Sequence, residues 1–251
     1  MCNPASFVVT KNKVYWSKKS DSHLEIIAEF GLNESGLRGV NVVPVEITPP
    51  KGNLSLPLSK WVFAIDYQGV MRDLPEWWDG DKYERMARTE LKAWKKAKLS
   101  GIRLREAFNP VNPLLIKADT SIDKLALLKD WSSVESSVWW SVESSVWSSV
   151  WSSVLWSVLS SVESSVESSV WWSVLSSVEP SVWSSVRGYI GSLFTGITTW
   201  KYTDKKDPWQ SIRALWLAGY VPSFDGTTWR LHAGKKAKVV FEITAKELRS
   251  K

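Results

Sequence analysis

The chain has 251 residues, 44% apolar and 23% charged, the balance of a globular protein with material for one large core or two smaller ones. Its single cysteine, Cys2, excludes an intrachain disulfide. No basic segment leads into an apolar run near Met1, and no stretch reaches the roughly 20 apolar residues of a membrane helix, so a cytoplasmic protein without membrane contact is expected.

Residues 1–112 read as a small α+β unit. Phe7–Val9 and Lys13–Trp16 have strand composition and flank Lys11-Asn12, which predicts a hairpin. Asp21 precedes a helix over Ser22–Phe30 that Gly31 closes. Val40–Ile47 and Trp61–Tyr67 are strand-like, separated by the Pro/Gly-rich loop Pro49–Pro57. Asp79 or Asp81 opens an amphipathic helix that runs to Leu99, with Met86, Leu91, Trp94 and Ala97 as its apolar stripe. Asn109-Pro110 and Asn112-Pro113 mark a boundary. Residues 113–130 form a linker and cap, with a short helix at Ile122–Leu128.

From Trp131 the chain parses without a gap into fourteen tetrapeptides, the third residue always Ser and the fourth always Val. An α-helix fits poorly. A period of four drifts about 40° per repeat on a 3.6-residue helix, Ser, Val and Trp are weak helix formers, and Pro180 interrupts the tract. Disorder fits poorly as well, because the tract holds nine tryptophans and an invariant β-branched residue.

A β-solenoid accounts for one inward Val every four residues, with short Ser side chains at the corners. Trp140, Trp156 and Trp172 recur every 16 residues, which stacks them in one column of a four-sided coil. Ile190 and Phe194 continue the Val register and plug the end, so the solenoid is expected over 131–194. The predicted fold is mainly β, with α+β flanks. The first-position residues Trp131, Trp139, Trp147, Trp151, Trp171 and Trp183 then face solvent as a binding surface.

Residues 195–251 predict a helix from Asp207-Pro208 to Leu217. A three-stranded meander follows, at Tyr220–Phe224, Thr228–His232 and Lys238–Ile243, turning at Asp225-Gly226 and at Gly234.

Chemistry is sparse. Cys2 behind Met1 is the one candidate nucleophile, in the manner of N-terminal-nucleophile enzymes. The Met-Cys start resembles class II glutamine amidotransferases in that pair alone, with Asn3 where that family has Gly. Two histidines, His23 and His232, and one cysteine argue against a zinc site, so no metal and no cofactor is expected. Trp77-Trp78, Trp200, Tyr202, Trp209, Trp216 and Trp229 with nearby Lys could stack nucleobases, but as aromatics of small units they are first of all core. The tract from 131 to 186 holds five Glu and no Lys or Arg, which leaves a net +11 on the flanks of a chain of net charge +6.

The Met1–Phe7 start, the repeat tract, Tyr189-Ile190-Gly191-Ser192-Leu193-Phe194, Pro222–Gly226 and Trp229–His232 resemble uncharacterised phage- and metagenome-type proteins with tandem Ser-Val-x-x repeats. That resemblance implies a phage-encoded origin and hence a host cytoplasm, and no activity. In architecture the repeat is similar to pentapeptide-repeat proteins, which form right-handed quadrilateral β-helices, although it has four residues per side.

The function expected on this reading is non-enzymatic: binding or self-assembly through the solenoid surface, with a protein partner or a second copy. The alternatives are a Cys2 hydrolase or amidotransferase, and a nucleic-acid binder working through the basic flanks.

Overall fold

The structure is a computed structural model and describes residues 5–32, 41–67, 74–149, 160 and 172–250. They divide into two compact units, 5–100 and 101–250.

In the first unit, strands β1 (Ser6–Val9), β2 (Val14–Tyr15), β3 (Val43–Thr48) and β4 (Val62–Ile65) form an antiparallel sheet of order β2-β1-β3-β4. β1 is buried along its whole length, so both faces of the sheet are covered there. Side chains alternate along a strand. Val8 joins Ile26 and Ile27 of helix α1 (His23–Glu29) and Val42 in one cluster. Phe7 and Val9 point the other way, toward helix α2 (Gly80–Leu99), which also packs on β1.

The sequence explains the end of α1 and the start of α2. Gly31, at φ 58°, supplies the left-handed residue after α1. The Asp79 carboxylate accepts the Lys82 N–H at 3.1 Å and caps α2. The buried stripe of α2 is Tyr83, Ala87, Leu91 and Trp94 at helical spacing. It is pinned by the Tyr83 hydroxyl donating to the Lys11 carbonyl at 3.0 Å and by the edge-on Trp61–Trp94 pair.

The second unit begins with α3 (Leu104–Ala107) and α4 (Lys124–Ser132), continues with α5 (Val138–Ser149), α6 (Trp172–Ser192) and α7 (Gln210–Leu217), and ends with the meander β5 (Val221–Phe224), β6 (Thr228–Ala233), β7 (Lys238–Thr244) and helix α8 (Ala245–Ser250). α6 packs on β5, and α4 on α7. Tyr189 stacks on Trp216 at 4.9 Å, and the Trp216 indole N–H donates to the Val111 carbonyl at 2.7 Å. Gly101 and Gly196 meet backbone to backbone: a Cβ on Gly101 would lie 2.7 Å from the Gly196 Cα.

The expected β-solenoid does not form, and the fold is α+β with two small antiparallel sheets. α4 runs into the tract through Trp131. α5 and α6 are helices, and the remainder of the tract lies outside the described residues.

The physical reason is length. Three repeats on α5 drift by only about 80° from first to last Val, which stays inside an apolar stripe of ≳ 100°. Val138 and Val142 on α5 are accordingly buried, as are Val182, Val186 and Ile190 on α6, while Val134 is buried in the turn that follows α4. The Ser hydroxyls are compatible with helix because the preceding turn accepts from them: Ser133 donates to the Asp130 carbonyl at 2.7 Å and Ser137 to that of Val134 at 2.8 Å. Pro180 lies within α6, which continues through it.

The invariant Ser also has a packing role. Ser141, Ser145 and Ser185 are buried. Ser141 donates to the Lys201 carbonyl, Ser145 Oγ accepts the Lys201 N–H at 2.8 Å, and Ser185 donates to the Pro222 carbonyl at 2.7 Å. Adjacent Ser and Val thus share one buried helix face, where Ser satisfies backbone groups of the neighbouring chain segments.

Candidate functional site

Three ionisable side chains from well-separated segments of the first unit converge. His23 is the first residue of α1, Glu46 lies in β3 and Asp66 directly follows β4. Topology brings them together. Glu46 pairs with Ser6 on one side and Ala64 on the other, and the Asp66 N–H donates to the Pro44 carbonyl at 3.0 Å. One ligand-type atom from each of the three lies within 4.8 Å of the others. His23 is 9% exposed, and Glu46 and Asp66 are half-buried. The backbone entering β1 beside them is strained: buried Ala5 has φ 66°, a left-handed conformation that costs a non-glycine residue about 1 kcal/mol.

The hydrogen-bond pattern of His23 restricts its chemistry. Nε2 faces the Val45 carbonyl at 3.2 Å, and Nδ1 faces the Asp66 carboxylate at 3.0 Å. Both of these partners are acceptors. A neutral ring has one N–H and can serve only one of them. A second ring proton, or a cation between Nδ1 and the carboxylates, completes the arrangement.

A second polar pair sits in the second unit. His232 Nδ1 lies 3.0 Å from the Ala237 carbonyl, and Nε2 lies 2.7 Å from Ser223 Oγ. The carbonyl only accepts, so Nδ1 carries the proton and Nε2 accepts from the Ser223 hydroxyl. Burial, the larger influence, pulls the His232 pKa down, and the Arg230 charge adds to this against the opposing Ala237 hydrogen bond. The polarity is that of a nucleophile and its base. With Ser223 fully buried and His232 6% exposed, the pair is closed to a substrate and ties β5 to β6.

The residues singled out in the sequence are dispersed. Trp131 is fully buried, edge-on to Trp209 at 6.5 Å. Trp183, on α6, is half-buried. Trp140 stands 61% exposed on α5. Trp139, Trp147 and Trp172 have described backbones in α5 and α6 but no described side chains, and Cys2, Trp151, Trp156 and Trp171 lie outside the described residues. The 16-residue column has no coil to stand in. Of the aromatics considered for stacking, Trp200, Trp209, Trp216 and Trp229 are core, Tyr202 is 67% exposed, and Trp77 and Trp78 are half-buried against Tyr83.

Counting histidines and cysteines overlooked the site at His23, because its other two members are carboxylates. The signal available was weak: Glu46 is the one charged residue of β3, and Asp66 directly follows β4.

Among the described residues, no helix is long and apolar enough to cross a membrane. No family model, curated protein or solved structure matches the chain. The resemblance to Ser-Val-x-x repeat proteins and to quadrilateral β-helices is therefore corrected: no family match supports it, and the described part of the tract is helical.

Proposed function

We propose that this chain is a ligand-binding protein and that its first unit holds the ligand at His23, Glu46 and Asp66. The observation that carries the reading is the convergence of these three groups, from positions 23, 46 and 66, on one spot beside a strained backbone. An imidazole and two carboxylates on one spot are groups that ligands commonly engage.

The test is thermal melting of the wild type, Glu46→Gln and Asp66→Asn across a panel of small ligands: metal salts, amines, nucleotides and sugars. The expected result is that one class raises the wild-type melting temperature and leaves both variants unmoved, and that the variants melt no lower than the wild type without ligand. No shift with any class, together with variants that melt lower than the wild type, would reduce the cluster to a structural ion pair.

Trp140 favours a second reading, self-association through the helical part of the repeat, because a largely exposed indole among serines offers a contact. Light scattering on the wild type and Trp140→Ser decides it: an oligomer that becomes monomeric supports this reading, and two monomers remove it.

A further inference from the structure

We infer that the ligand of this site is a divalent first-row transition-metal ion, bound by His23 Nδ1, the Asp66 carboxylate and the Glu46 carboxylate. The inference rests on the ligand-binding reading above and names the chemistry of its ligand.

A cation at Nδ1 selects one tautomer: Nε2–H then donates to the Val45 carbonyl at 3.2 Å, and the Nδ1 lone pair and Asp66, 3.0 Å apart, both face the ion. A histidine that ligates a metal through one nitrogen typically donates the other N–H to a backbone carbonyl or carboxylate, which orients the ring and raises its basicity. Here the carbonyl belongs to β3, the strand that also supplies Glu46, so orienting group and ligand share one rigid element.

The distances agree. In octahedral coordination, two neighbouring ligands about 2.1 Å from the ion lie about 3.0 Å from each other, and Nδ1 and Asp66 Oδ2 are separated by 3.0 Å. Opposite ligands of an octahedral ion are about 4.2 Å apart, and the three ligand atoms lie within 4.8 Å of one another; a tetrahedral ion, with ligands about 3.4 Å apart, requires a larger closure.

The donor set selects the metal. One imidazole with two carboxylates suits Mn2+, Fe2+ or Zn2+. Mg2+ and Ca2+ prefer all-oxygen surroundings. Three protein ligands leave coordination positions open.

The experiment is calorimetric titration of the full chain, after chelator treatment, with Mn2+, Zn2+ and Mg2+. The variants are His23→Ala, Glu46→Gln and Asp66→Asn, with Ser223→Ala as a control outside the site and circular dichroism reporting folding. The expected result is one equivalent of Mn2+ or Zn2+ on the wild type and on Ser223→Ala, at least tenfold weaker binding in Glu46→Gln and Asp66→Asn, and Mg2+ weakest of the three. Absence of saturable binding to the folded wild type overturns the proposal. Affinity unchanged in both Glu46→Gln and Asp66→Asn overturns it too, and does not depend on whether His23→Ala folds. If no metal binds but another ligand class still stabilises the wild type and not the variants, the metal assignment falls while the site stands. If no class does so, both fall.

Discussion

Replacing Trp131 with Ala separates a helical repeat from a solvent-facing one. In a coil with outward first positions the substitution is a surface change, worth within about 0.5 kcal/mol. In the structure, Trp131 is fully buried, packs edge-on to Trp209 at 6.5 Å, and has its ring edge where a Cβ on Gly188 would lie, 2.7 Å away. Truncating a buried Trp costs about 3–5 kcal/mol in transfer and cavity terms, and about 0.5–1.5 kcal/mol of edge-on aromatic contact goes with it. We expect a loss of about 4 kcal/mol, or about 8–16 °C in melting temperature at about 2–4 °C per kcal/mol for a chain of this size. Urea and thermal denaturation followed by circular dichroism read it, with Trp140→Ala as the exposed control. A Trp131→Ala variant as stable as Trp140→Ala would refute the packing described here.

Further outcomes follow from particular contacts. Gly101→Ala should destabilise by about 1–3 kcal/mol, since its Cβ meets the Gly196 backbone rather than a movable side chain; equilibrium unfolding measures this. Ser185→Ala leaves the buried Pro222 carbonyl without its donor, and about 1–3 kcal/mol should be lost by the same measure. His232, whose pKa burial depresses, stays neutral in the fold while the unfolded chain takes up a proton. Its contribution to stability is present above about pH 6.5 and lost as pH falls toward its lower folded value. Unfolding free energies between pH 7.5 and 5 should therefore fall less steeply in His232→Gln than in the wild type.

Local rules served the flanks well. The hairpin at Phe7–Tyr15, the capped helix from Asp79 and the meander after Tyr220 have alternation, caps and turns that agree with their surroundings. The drift of a four-residue period summed over all fourteen repeats excludes one helix that holds them all, but not several shorter ones. α5 holds three repeats, and on α6 the buried positions Val182, Val186 and Ile190 likewise span only about 80°. Serine's low helix propensity was weighed without its tertiary use, and the bonds from Ser141 and Ser185 to distant carbonyls are invisible to any local rule. The site was illegible for a related reason. His23, Glu46 and Asp66 share no motif, and their meeting is set by the register of β3 against β1 and β4.

The central claim is that His23, Glu46 and Asp66 form one cation site, and the chain's two histidines make it directly observable. We would titrate Mn2+ into the protein and follow the histidine ring proton resonances, assigning His23 by comparison with His232→Gln. The account predicts that the His23 signals broaden beyond detection at substoichiometric Mn2+ and are retained in Asp66→Asn. His23 signals that survive a full equivalent of Mn2+, or that broaden equally in wild type and Asp66→Asn, would contradict it.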